Sequence, residues 1–252
     1  MTPAIDHVAL TVRDLPGMTA FYRDALGLFP LGGDGETARL GAGGRTLLEL
    51  RGDAVARPRD PRQAGLFHTA FLLPERADLA RWLRHASQTR VPLTGASDHG
   101  VSEALYLDDP EGNGIEIYWD RPPSDWIREG DRIEMFTHRL DLDDLLSAPD
   151  TPWQGLPEGS GIGHVHMQVG DLDQANAFFA GDLGLTRTFD AHGGAWYGWN
   201  GYHHHLAGNV WNSRGAGMRD AGMVGLAEVV VQDPARAGQQ IADPWGTPFR
   251  FV

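Results

Sequence analysis

The chain has 252 residues, a formal net charge of −13 and no cysteine. That charge repels phosphate backbones and anionic lipid, so neither a nucleic-acid nor a membrane partner is expected. The missing cysteine excludes disulfides, thiolate metal ligands and thiol nucleophiles together. Hydrophobic residues make up 41% of the chain, enough for a packed core. No apolar run approaches bilayer-spanning length, and no basic segment leads into an apolar stretch near Met1. A cytoplasmic location is therefore the expectation.

The elements fall into a repeat. HVALTVRDLPGMTAFYRDALGL, from His7, opens with the alternation of a strand. It continues through Asp-Leu into an aromatic-rich segment of helical period, and closes on Leu-Gly-Leu, where the glycine can end the helix in a left-handed conformation. RTLLELR (Arg45–Arg51) reads as the last strand of this unit. A second unit starts at LFHTAFLLP (Leu66–Pro74) and runs through a helix at Arg76–Ala86. It ends in a hairpin inside SDHGVSEALYLDDPEGNGIEIYW (Ser97–Trp119). A polar, proline-bearing connector spans 120–161, with a short helix expected near Leu140–Leu146.

The third unit, HVHMQVGDLDQANAFFAGDLGL from His164, repeats the first closely. Asn200-Gly201 is a strong two-residue hairpin signal, and YHHHLAGNVW (Tyr202–Trp211) is expected as the strand that follows. A fourth unit opens at Gly225–Val231 and ends in DPWGTPFRFV (Asp243–Val252). It lacks a helix and a hairpin's worth of chain. The fold class is therefore α+β: β-α-β-β-β units forming curved mixed sheets, three complete and the fourth truncated. Along the chain, two domains are expected: 1–119, holding the first two units, and 162–252, holding the third unit with the truncated fourth, joined by the connector at 120–161. The truncated unit exposes sheet edge, which needs cover, so a homodimer is expected.

Paired β-α-β-β-β units resemble the vicinal oxygen chelate superfamily, which includes glyoxalase, bleomycin-resistance proteins and extradiol ring-cleaving dioxygenases. The hairpin sharpens the resemblance. Extradiol dioxygenases carry a histidine, an apolar-Tyr pair, an acidic-Pro turn with glycine, and a glutamate. Here these are His99, Leu105-Tyr106, Asp109-Pro110-Glu111-Gly112 and Glu116. Ser97 departs from the pattern, which usually carries another small or apolar residue there. GIGHVHMQVGD (Gly161–Asp171) resembles the strand that supplies a metal histidine, and HHHLA (His203–Ala207) the strand that carries an acid-base histidine. The chain looks most like the four-unit catechol-2,3-dioxygenase branch.

The resemblance implies a metal-dependent extradiol dioxygenase of aromatic-compound catabolism, taking a small catechol-type aromatic and dioxygen. Fe(II) is the first choice of metal; Mn(II), Zn(II) and Ni(II) are open. Two histidines and one carboxylate hold such an ion while leaving positions free. Two ligand sets follow from two ways of pairing the units. Pairing the second unit with the third gives His68, Glu116 and His164, with His99, Tyr106 and His204 as the catalytic groups. Pairing in chain order gives a glyoxalase-like set of His7, Glu49, His68 and Glu116, with lyase or isomerase chemistry. A cup that only sequesters an aromatic molecule is the third reading. The crowding of histidines from His164 to His205 favours the first pairing, because only that cup uses the YHHH segment. His203 and His205 share one face of a regular strand and His204 the other. Trp196, Trp199 and Trp211 are candidates to stack on an aromatic ring or to fill core. His85 and His138 read as surface residues and His192 as a turn residue.

Overall fold

The computed structural model describes residues 2–149 and 151–252. The first unit is β1 (Ala4–Val12), α1 (Leu15–Asp24), β2 (Phe29–Gly33), β3 (Thr37–Ala42) and β4 (Arg45–Gly52). The second is β5 (Gly65–Leu73), α2 (Arg76–Thr89), β6 (Gly95–Asp98), β7 (Ser102–Asp108) and β8 (Gly114–Asp120). The connector carries three two-residue strands, β9 (Arg128–Glu129), β10 (Arg132–Ile133) and β11 (His138–Arg139), and one turn of helix, α3 (Leu142–Leu145). The third unit is β12 (Gly161–Gln168), α4 (Leu172–Asn176), β13 (Thr186–Ala191), β14 (Gly194–Gly198) and β15 (Leu206–Asn209). After α4 the helix widens to a π-helical segment, Ala177–Asp182. The fourth has only β16 (Gly225–Gln232), β17 (Gln240–Ala242) and β18 (Pro248–Phe251), with no helix. None of the helices among the described residues is long and apolar enough to cross a membrane.

The units pair across the chain order. The order β11-β6-β7-β8-β5-β12-β15-β14-β13 makes a nine-stranded sheet from the second and third units. The order β17-β18-β16-β1-β4-β3-β2 makes a seven-stranded sheet from the fourth and first. The seven-stranded sheet thus joins the two ends of the chain, and the nine-stranded sheet is built from its middle. The joints are the antiparallel pairs β5–β12 and β1–β16. The two joints carry matching irregularities, at Ile162/His164 and His166/Met167 in one and at Ile5/His7 and Ala9/Leu10 in the other. The repeat seen in the sequence is therefore preserved down to its bulges. The main core cluster runs through both sheets and the helices, with Trp82, Phe71, Phe179 and Phe249 among its fully buried side chains.

Local signals hold at the turns. Gly27 and Gly184, the glycines of the two Leu-Gly-Leu motifs, have φ of 82° and 71°. Asn200 and Gly201 both have positive φ, and Tyr202 N–H donates to Trp199 O at 3.0 Å, closing the expected hairpin turn. The strand after it differs from expectation. An unbroken ladder from that turn would set Tyr197 opposite His204, but Tyr197 faces Leu206. Two extra residues are accommodated between the turn and Leu206. The YHHH segment is therefore a bulge, and strand β15 begins at Leu206.

The acidic-Pro turn has a structural task. Buried Asp109 accepts through Oδ2 from Tyr22 Oη at 2.9 Å and from Asn113 Nδ2 at 2.8 Å. Its Oδ1 accepts the backbone N–H groups of Glu111 and Asn113. Glu111 in turn accepts from the backbone N–H groups of Arg13 and Asp14 where α1 begins. The turn of the second unit is thus tied to the helix of the first. Asp109→Ala leaves Tyr22 Oη and Asn113 Nδ2 buried without a partner, at about 1–3 kcal/mol each. The expected loss is about 2–4 kcal/mol in urea unfolding. A change within about 0.5 kcal/mol, the range of an ordinary surface substitution, would contradict this role.

Candidate metal centre

One row of residues runs across the nine-stranded sheet. Tyr106 on β7 faces Glu116 on β8, Glu116 faces Ala70 on β5, and Ala70 faces His164 on β12. His68 lies two residues before Ala70 on the same face and opposite His166. Two bulges set this arrangement. Regular alternation would put Ile162 and His164 on one face; the extra residue at Gly163 sends Ile162 to the core opposite Phe71 and His164 into the cup. Gly163 is required there, because a Cβ at that position would clash with the buried Tyr118 Oη. The second irregularity skips Phe67, so that Phe67 and His68 both line the cavity.

Glu116 Oε2 lies 2.9 Å from His68 Nε2 and 3.1 Å from His164 Nε2, and all three residues are buried. The three donor atoms fall within 4.8 Å of one another. His68 Nε2 has no hydrogen-bond partner despite its closeness to the carboxylate. A buried imidazole nitrogen set beside a carboxylate without a hydrogen bond to it fits a cation held between the two. Burial by itself would push the Glu116 carboxyl up, but facing His164 and His68 hold it well below the usual carboxylate range. Burial pushes His164 down, against the opposing pull of Glu116. Carboxylate and neutral imidazole are the forms a divalent metal requires. Two imidazoles and one carboxylate, without sulfur, suit a divalent first-row metal with positions left open.

The centre opens into a cavity of about 600 Å³. Its lining includes the polar side chains of His99, Tyr106 and His204 and the aromatic ones of Phe67, Phe189, Trp196 and Trp211. His99 donates from Nδ1 to Phe136 O at 2.7 Å, so its Nε2 accepts from Tyr106 Oη, also at 2.7 Å. Burial, then the charge of Glu116, raises the Tyr106 phenol well above its ordinary value. His204 packs on His164 with ring centroids 4.0 Å apart. His166 accepts at Nε2 from Asn209 Nδ2 at 3.0 Å and lines the cavity beside His68.

The alternative ligand set is not brought together. His7 and Glu49 belong to the seven-stranded sheet, where His7 Nδ1 bonds Asp6 at 2.6 Å and Glu49 pairs with Arg51 at 2.6 Å. The reason is the strand pairing, which joins β1 to β16 and leaves β5 to β12. In that other cup the positions matching Ala70, Glu116 and His68 are Val230, Arg250 and Glu228. Glu228 is paired with Arg51 at 2.8 Å and with Arg250 at 3.2 Å. An ion pair thus stands where the first cup has its His-Glu-His set.

The tryptophans divide. Trp196 and Trp211 line the cavity, whereas Trp199 is buried and donates from Nε1 to Leu183 O. His192, at φ 49°, is the expected turn residue but also reaches the cavity, and His138 is exposed. The connector supplies Met135, Phe136 and Thr137 to the wall. The polar, proline-bearing composition of the connector does not point to them; the Met-Phe-Thr stretch inside it is the available signal.

The buried histidines make the fold acid-labile. Burial, then His203, pushes His205 down to about 3, and His166 and His204 lie well below their ordinary range for the same first reason. Above the ordinary histidine range both folded and unfolded states are neutral, so nothing is lost. As pH falls below about 6.5, the unfolded chain takes up protons that the folded state refuses. Glu116 acts in the same sense below the carboxylate range. Each such histidine should steepen the loss by up to about 1.4 kcal/mol per pH unit. The metal-free protein is expected to lose several such increments between pH 6.5 and pH 5. A urea midpoint that stays flat over that interval would refute the buried neutral histidines.

Comparison with known proteins agrees with this geometry. Residues 4–117 match the profile of the Glyoxalase/Bleomycin resistance protein/Dioxygenase superfamily. The chain is 37% identical over 230 residues to a catechol-2,3-dioxygenase of Bacillus subtilis (strain 168), covering 88% of this chain and 80% of that protein. It is 34% identical over 133 residues to biphenyl-2,3-diol 1,2-dioxygenase 3 of Rhodococcus globerulus, covering 48% of this chain and 65% of that one. The fold matches glyoxalase I from Zea mays with a TM-score of 0.59 at 15% identity, over 100% of this chain and 92% of that one. Profile, relatives and paired β-α-β-β-β units together establish that the chain belongs to the glyoxalase/bleomycin resistance/dioxygenase superfamily.

Proposed function

We propose that the cavity is the active centre of an extradiol ring-cleaving dioxygenase acting on a catechol-type aromatic with dioxygen. The observation that carries this reading is the buried His68–Glu116–His164 cluster opening on a cavity flanked by His99, Tyr106 and His204. His68, Glu116 and His164 would hold Fe(II), and His99, Tyr106 and His204 would face the bound substrate. The ion supplies a Lewis-acidic meeting point for a catechol's oxygens and dioxygen.

The residues supply the rest. The aromatic wall of Phe67, Phe189, Trp196 and Trp211 receives the ring and excludes water. His204 takes a catechol proton and later returns it, which suits an imidazole kept neutral by burial. Tyr106 and His99 act as one hydrogen-bonded pair, so Tyr106 can offer its proton to a substrate oxygen when His99 Nε2 gains one. The curated relatives with catechol-type substrates support the same chemistry. The glyoxalase-like reading lacks its ligands, because His7 and Glu49 sit in the other sheet.

Anaerobic purification with metal analysis, followed by oxygen-electrode assay with catechol, tests the reading. Iron content with oxygen uptake is expected. His68→Ala, Glu116→Ala and His164→Ala each remove one of three protein bonds to the ion. Each should weaken binding by more than the about 10–100-fold typical of losing an outer partner, with the fold retained. His7→Ala should keep full metal content. Metal lost from His7→Ala and retained in His164→Ala would sink the assignment.

A further inference from the structure

The bulge that follows Asn200-Gly201 places three polar residues in a chain behind the cavity. His204 lines the cavity, and its Nδ1 lies 2.7 Å from His203 Nδ1. The His203 side chain is fully buried, and its Nε2 lies 2.8 Å from Asp120 Oδ1. Asp120 ends β8, and its other oxygen accepts from Tyr202 Oη at 2.6 Å. Tyr202 and Trp126 pack on His203 with ring centroids at 4.1 and 5.1 Å, which holds the imidazole plane.

Hydrogen-bond accounting gives this chain a direction. A carboxylate has no proton to donate, so the His203 proton sits on Nε2. A neutral imidazole protonated there has a bare Nδ1, which can only accept. The atom facing it is His204 Nδ1, which must therefore donate. That leaves His204 Nε2 as a lone pair, with no protein group bonded to it among the described residues.

We infer that Asp120, with His203 and Tyr202, positions His204 and fixes it in the Nδ1–H tautomer, so that Nε2 meets the cavity as a proton acceptor. The inference rests on the reading of His204 as the acid-base group of the proposed reaction. Asp120 and His203 touch no substrate; they act through His204. Without the Asp120 charge the pair can reverse, with His203 Nδ1–H donating and His204 Nε2 carrying the proton. His204 would then meet the substrate hydroxyl donor to donor. This gives the serine-hydrolase logic of a carboxylate selecting an imidazole tautomer a second imidazole in the middle.

The test reads the tautomer directly. Protein labelled with ¹⁵N-histidine is examined by long-range ¹H–¹⁵N correlation at mildly alkaline pH, with His204 assigned by its loss in His204→Gln. A protonated Nδ1 and a bare Nε2 are expected for His204. Asp120→Asn should shift His204 towards the Nε2–H form and lower kcat on catechol by about 100-fold, within the usual range of a general base. Its KM and iron content should stay near the parent values, and Asp120→Glu, which keeps the charge, should restore both tautomer and rate in part. A protonated Nε2 in the parent protein, or an Asp120→Asn variant with unchanged tautomer and kcat, overturns the inference. If the tautomer is as expected but the iron-loaded parent consumes no oxygen, the dioxygenase reading falls and the positioning of His204 stands.

Discussion

The antiparallel joint between β5 and β12 governs the rest of the molecule, because the site has no existence within either unit alone. His68 and Glu116 come from one unit and His164 from another. The ladder sets His164 against Ala70 and Ala70 against Glu116, so a small side chain lies under the space between the two ligating groups. Gly163 and Phe67 then decide which neighbours face inward. One bulge turns His164 away from the face of Ile162, and the other lets Phe67 and His68 share a side. A strand pair without these irregularities would put Ile162 on the face of His164 and turn Phe67 away from that of His68.

Much of this was legible in the sequence. The duplicated HV strands, the Leu-Gly-Leu stops and Asn200-Gly201 are local signals whose physics lies within a few residues, and each turned up where expected. The pairing of units was less accessible, since linker lengths permit either arrangement. The histidine density near His204 tipped the reading towards the arrangement seen. The bulge at His203–His205 was not legible, because a two-residue insertion in a ladder depends on where β14 and β15 finally register. Nor was the tie from Asp109 to Tyr22, which links the signature turn to a helix 87 positions earlier.

The connector shows the same limit. Its composition suggests a spacer, yet Trp126 and Ile133 form a small core with Val101, and Phe136 O holds His99. Short strands of two residues carry too little pattern to be read from sequence. They matter because β11 extends the site-bearing sheet beyond β6, next to Phe136 and Thr137 in the cavity wall. A segment with little structure of its own thus helps to close off the cavity from water.

The ion pair in the second cup has a wider consequence. Both cups bury a carboxylate in matching sheets, Glu116 in one and Glu228 in the other. Glu228 is neutralised by Arg51 and Arg250, charges the chain carries permanently. Glu116 faces only the imidazoles of His68 and His164, which carry no permanent charge, so that half of the molecule lacks the fixed cation its counterpart has. A bound cation makes up the deficit and stabilises the folded state by RT ln(1 + [M]/Kd), whereas the other half gains nothing. The stability of one sheet is thus tied to metal supply, and that of its counterpart is built into the sequence.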